Sequence, residues 1–224
     1  MATGYKEIHF EEHIVRHLTQ EIEPDYSEYV EKDNSVYNKD WCVIPEDIVG
    51  FIKDTQKEKY DKLVLQYGLN TDAKIVERVV DSIKKTQNKT IQVLREKIKD
   101  RGQNIDLVYF KPTHNKTPEH QEWYKKNRLT VIRQLKYSKQ NENSIDIVLF
   151  LNGLPVISIE LKNALTGQYL HDAIKQYISS RDPRETFFEF KRCLVHFAVS
   201  TEKVSMCTEL KGKQTRFLPF NKAL

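Results

Sequence analysis

The chain has 224 residues, 30% of them charged and 39% hydrophobic, with seven glycines and seven prolines. That balance excludes a disordered chain and suits a soluble, helix-rich α/β protein, and the length allows one large domain or two small ones with a buried core. The net charge of +4 permits a nucleic-acid partner without demanding one. Cys42, Cys193 and Cys207 are too scattered for a structural zinc site and fit reduced thiols in a cytoplasmic protein. No apolar run approaches the roughly 18 residues of a membrane span, and residues 1–10 lack the apolar stretch of a secretory leader.

In chain order, residues 5–19 read as an amphipathic helix, with Glu11, Ile14 and Leu18 at i, i+3 and i+7 on one face. An acid on an apolar stripe is either a helix-end charge or an inward-facing site residue; Glu12 lies off that stripe. His13 and His17 have i, i+4 spacing but neither H-E-x-x-H order nor a third ligand. Residues 21–40 are polar and read as a loop. Pro45 opens a helix to about residue 53. A second helix spans about 57–67 and is closed by Gly68. Thr71 is expected to N-cap a long helix through Ile75, Val79, Ile83, Ile91, Leu94 and Ile98 to Gly102, broken or not at polar residues 86–90.

Residues 105–110 and 129–137 read as strands. Residues 111–140 hold eight Lys or Arg against two acids, together with Trp123, Tyr124 and Tyr137. Such a stretch is either a contact for a DNA backbone or ordinary surface around one strand.

Residues 144–151 and 154–162 are two apolar runs flanking Asn152-Gly153, a hairpin signal. Three charges interrupt them, Asp146, Glu160 and Lys162, all away from the turn. Strand alternation would put Ile145, Ile147, Leu149, Ile157, Ile159 and Leu161 on one face. Asp146, Val148, Phe150, Val156, Ser158, Glu160 and Lys162 would share the other. That partition requires an odd-length connection, read here as a three-residue loop over 151–153 with a left-handed Gly153, pairing Asp146 with Ser158. Other E-x-K and D-x-K triplets occur at Glu189, Glu209 and Asp72, but none follows a hairpin with an upstream acid.

Asp146 followed by Glu160-Leu161-Lys162 resembles the PD-(D/E)xK nuclease core. The longer string SIDIVLFLNGLPVISIELKN resembles the nuclease domain of the R subunit of type I restriction enzymes, and the likeness extends from about residue 10 to the C-terminus. The resemblance implies a restriction-endonuclease-like α/β fold: a central mixed sheet of about five strands flanked by helices, with an extra helical N-terminal part. It would be one endonuclease domain over 1–224, helical over about 1–104 and the nuclease core over about 105–220. It also implies that a first-helix Glu serves the site, which favours Glu11.

Residues 167–180 read as a helix, with Leu170, Ile174 and Tyr177 on one stripe. The family places a Q-x-x-x-Y element on such a helix; Gln176 matches the Gln, but Ser180 stands where the Tyr would be. Residues 194–200 and 204–210 read as two further strands. The apolar FLPF near the end suggests a fragment of a larger subunit, whose motor would use ATP; no G-x-x-x-x-G-K-[ST] loop occurs here.

The chemistry implied is Mg²⁺-dependent hydrolysis of DNA phosphodiesters, with Mn²⁺ as a substitute ion. The ion would be held by Asp146, Glu160 and the Leu161 carbonyl. Lys162 would orient water or neutralise phosphate, Glu11 would be an outer or second-ion acid, and Gln176 a positioning group. Implied partners are double-stranded DNA and the methyltransferase and specificity subunits, with no membrane. The competing readings are another PD-(D/E)xK nuclease of repair or junction type, and a non-catalytic DNA-binding or docking module.

Overall fold

The computed structural model describes residues 2–19, 29–113, 118–163 and 167–220, with side chains from residue 8 in the first stretch. Its backbone is a seven-stranded mixed sheet in the order β1-β4-β5-β6-β7-β8-β9, plus a separate two-stranded hairpin, β2-β3. The strands are β1 (Val30–Glu31), β2 (Ile98–Asp100), β3 (Gln103–Ile105), β4 (Leu129–Lys136), β5 (Ser144–Leu151), β6 (Leu154–Lys162), β7 (Val195–Ser200), β8 (Val204–Cys207) and β9 (Leu218–Pro219). The helices are α1 (Ala2–Thr19), α2 (Pro45–Thr55), α3 (Lys57–Tyr67), α4 (Thr71–Lys85), α5 (Lys89–Arg95), α6 (Pro118–Lys125) and α7 (Leu170–Ser180). The α/β class and the five central strands are as expected; β1 and β9 are two-residue edges whose brevity leaves no periodicity to read.

Three apolar clusters organise the molecule. Val15 of α1, with Phe10, Ile14 and Leu18 beside it, covers Val131, Ile147, Leu149 and Leu161 on one face of the sheet. On the other, Tyr177 of α7 packs with Ile132, Leu135, Ile145, Val148 and Phe150. The third cluster gathers α2–α5 and the β2-β3 hairpin around Leu154 and Leu151. The helical part therefore docks on the turn end of the β5-β6 hairpin, and Asp146 lies about 20 Å of strand from that turn.

That end is locked. Asn152 and Gly153 both have positive φ, 49° and 81°, the backbone of a two-residue type I′ turn. Asn152 is buried and donates to the carbonyl of Leu107 (2.9 Å) and accepts from the amide of Arg128 (2.6 Å). A Cβ on Gly153 would lie 2.4 Å from the Ile44 carbonyl oxygen, so only glycine fits.

The hairpin corrects one expectation and preserves its consequence. The connection is two residues long, with Leu151 opposite Leu154, not the three-residue loop expected. A bulge then leaves Val156 unpaired, and the register resumes with Leu149 opposite Ile157 and Ile147 opposite Ile159. The extra residue sits one step past the turn instead of inside it. The parity is the same, but Val148, not Asp146, faces Ser158.

Other differences have local causes. Thr71 does not N-cap α4; it is the first helical residue, and its hydroxyl donates to the Gly68 carbonyl at 2.6 Å. The long helix does not reach Gly102: it breaks at residues 86–88, α5 ends at Arg95, and Ile98 begins the β2 strand, which turns at Arg101-Gly102 with φ of 47° and 80°. Residues 106–110 are not strand, and the strand expected over 204–210 stops at Cys207. Within residues 21–40, Val30–Glu31 pairs parallel to β4; residues 20–28 lie outside the described ones. Helix α6 lies inside the basic stretch, where only the strand over residues 129–137 was expected.

Candidate active site

The site forms where β5 and β6 part. Their paired residues end at Ile147 and Ile159, while β6 continues to pair with β7 through Lys162 and Ser200. Beyond that point the Asp146 carboxylate takes the place of a backbone acceptor: its Oδ2 accepts the Leu161 N–H at 2.7 Å. In extended backbone the N–H and C=O of one residue face the same side, so the Leu161 carbonyl faces the same gap.

Face alternation fails on two neighbouring strands at this level. Ile147 and Leu149 join the cluster under α1, but Ile145 joins the cluster under α7, contrary to the single apolar face expected for all three. On β4, Arg133 reaches α1 while Leu135 belongs with α7. The residues between are Asp146 and Gln134, which the flanking pairs Arg133–Ile147 and Leu135–Ile145 put opposite each other.

Four of the five expected side chains converge here. Glu160 is fully buried at the carboxyl end of β6. Its Oε1 accepts from Arg181 Nε (2.8 Å) and Nη2 (2.6 Å), while its Oε2 is buried with no partner among the described residues. Burial, then the charge of Asp146, pushes the Glu160 carboxyl up to about 8, against the opposing pull of Arg181 and Lys162. Asp146 is also raised, first by burial and with a contribution from Glu11, opposed by the Leu161 amide, Lys162 and Gln134. Lys162, half-buried, thus exerts its positive charge on both carboxylates.

Glu11 enters from α1 and is 5% exposed, whereas Glu12 is exposed and bonds His9. Glu11 accepts from Arg133 Nε at 2.5 Å and from Gln134 Nε2 at 2.7 Å. Gln176 is not drawn in: it is half-buried on α7 beside Tyr177 and makes no hydrogen bond to Asp146, Glu160 or Glu11. His13 and His17 are exposed, and no group of three or more His, Cys, Asp or Glu poised for a metal occurs among the described residues. A site here thus rests on two carboxylates and a backbone oxygen.

Reading the sequence left Arg181 and Gln134 without roles. Arg181 is buried, donates to the Ser144 carbonyl at 2.6 Å and stacks over Tyr137. Nothing local marks an Arg after a helix as buried; Gln134 was legible as a polar residue facing Asp146 once β4 was paired with β5. The basic stretch is largely neutralised by ion pairs: Arg128 with Asp54, Arg133 with Glu11, Lys136 with Glu142 and Lys139 with Asp40. Lys116 lies outside the described residues. A surface cavity of about 740 Å³, with Cys207, Glu209, Lys211 and Arg216 among its lining residues, lies toward the opposite end of the strands.

Residues 10–215 match the family described as type I restriction enzyme R protein N terminus. The chain belongs to this family. The match takes in all of the site, from Glu11 on the first helix to Arg181 after α7. None of the curated proteins compared with this R protein N terminus matches it. No described helix of the R protein domain is long and apolar enough to cross a membrane.

Proposed function

We propose that this domain is the DNA-cutting part of a type I restriction enzyme, hydrolysing phosphodiester bonds with a Mg²⁺ ion. The observation that carries the reading is the buried Glu160 Oε2, without a hydrogen-bond partner among the described residues, beside a second carboxylate, Asp146, at the edge where two strands separate. A buried carboxylate oxygen without a donor is costly unless a proton or a cation completes it. The donor set is all oxygen, which suits Mg²⁺ or Mn²⁺ and leaves positions for water. Asp146, Glu160 and the Leu161 carbonyl would hold the ion.

When bound, the ion supplies Lewis acidity and a more acidic water. The protein's own groups do the rest. Arg181 fixes Oε1 of Glu160 and so presents Oε2. Glu160 gives up its raised proton before it serves as a ligand, which ties ion binding to pH. Lys162 orients the attacking water or neutralises phosphate charge next to the carboxylates. Glu11 adds negative charge behind Asp146, and Gln176, apart from them on α7, takes no role here. The partners are double-stranded DNA and the methyltransferase and specificity subunits, and ATP serves only a motor region outside this chain.

The test separates roles. In the assembled enzyme, Asp146→Ala should abolish DNA cleavage and leave ATP hydrolysis unchanged. Glu160→Ala should lose Mn²⁺ binding, while Lys162→Ala should keep or strengthen it, because a neighbouring positive charge is removed, and still lose cleavage. Wild-type cleavage by Asp146→Ala or Lys162→Ala would remove that residue from the chemistry.

A further inference from the structure

Gln134 holds a backbone conformation that its strand does not ask for. Its φ is +47°, in the left-handed region, although both neighbours pair regularly with β5. A non-glycine residue there is strained, and such strain persists where surrounding contacts over-determine it.

Those contacts are specific. The Gln134 amide nitrogen donates to Glu11 Oε2 at 2.7 Å and to Asp146 Oδ1 at 3.2 Å. Its amide oxygen accepts from the Ser144 hydroxyl at 2.8 Å. All of this is made by an exposed side chain, whose burial contributes little to stability. Glu11 and Asp146 both bring a carboxylate oxygen to the one Gln134 amide nitrogen, and two anions so close repel. A carboxylate at position 134 would add to that repulsion, and an ammonium would cancel the negative charge a cation needs. A neutral amide donates one hydrogen bond to each of two anions and accepts one from a hydroxyl without changing the charge.

We propose that Gln134 is a positioning residue of the nuclease site, setting Asp146 against Glu11 and aiming it at the gap between β5 and β6. The proposal rests on the metal-site reading above. It predicts that backbone strain and site geometry separate on substitution. Gln134→Gly relieves the positive φ and deletes the amide; Gln134→Ala deletes the amide and keeps the strain.

The experiment measures Mn²⁺ affinity by calorimetry and thermal midpoint for wild type, both variants and Asp146→Ala. Gln134→Gly should be as stable as wild type or more so, yet bind Mn²⁺ about 10- to 100-fold more weakly, the usual effect of removing a partner that orients a ligand. Gln134→Ala should show the same loss of affinity with a lower midpoint. If Gln134→Gly binds Mn²⁺ as wild type does while Asp146→Ala does not, the metal site stands and the role of Gln134 falls. If Asp146→Ala binds like wild type, or wild type has no Mn²⁺ site, the metal-site reading fails and takes this role with it.

Discussion

Glu160 and Arg181 form an ion pair in which the two side chains are 0% and 4% exposed. Such a pair is a weak source of net stability, because desolvation offsets attraction, but breaking it leaves a buried charge. Arg181→Met should lower unfolding stability by about 3 kcal/mol at pH 8. The sign with pH follows from Glu160. Its folded carboxyl is raised to about 8, above its ordinary 4.5, so below pH 8 it is increasingly neutral and misses its partner less. The loss should therefore shrink toward pH 5, as urea denaturation at the two pH values would show; an equal loss at both would contradict it. At this scale the acids and Lys162 were legible because charges on apolar strands demand a reason. Arg181 was not, because burial of its long side chain depends on Tyr137 and Ser144, more than thirty residues earlier in the chain.

The β5-β6 hairpin shows how an element can be legible in outcome and wrong in detail. The charge pattern required an odd offset between the strands, and the bulge at Val156 supplies it where a longer turn was expected. Sequence pattern constrains parity more tightly than it constrains the position of the extra residue. Neighbouring β7 carries a group that periodicity could not flag. His196 is 1% exposed, with Nδ1 2.7 Å from Ser158 Oγ, which in turn meets the Tyr177 hydroxyl at 2.9 Å. Burial pushes its imidazole down to about 4 from an ordinary 6.5. The unfolded chain thus binds the proton first. The stability is complete above pH 6.5 and is lost as pH falls through 4, by up to about 3 kcal/mol. His196→Phe should remove this part of the acid sensitivity between pH 6.5 and 4. If the unfolding midpoint of the variant falls with pH as steeply as wild type, His196 is not its source.

Across the whole molecule, the helical part and the site occupy opposite ends of one hairpin. The Pro45 start of α2, the apolar stripe of α4 and the Asn-Gly hairpin were readable, since each is a local pattern. The β2-β3 hairpin was not, because Ile98 falls four residues after Leu94 and continues a helical stripe by spacing alone. Nor was the break in face alternation at Gln134 and Asp146, which needs two strands and two helices in place at once. That break puts Asp146 between Glu11 from one face of the sheet and Glu160 on the other. This junction is the proposed seat of a divalent ion. Crystals soaked in Mn²⁺ and measured at the manganese edge test it directly. The expected result is an anomalous peak about 2.1 Å from carboxylate oxygens of Asp146 and Glu160 and from the Leu161 carbonyl. An empty junction at Mn²⁺ concentrations that support DNA cleavage, with the ion found elsewhere, would contradict it.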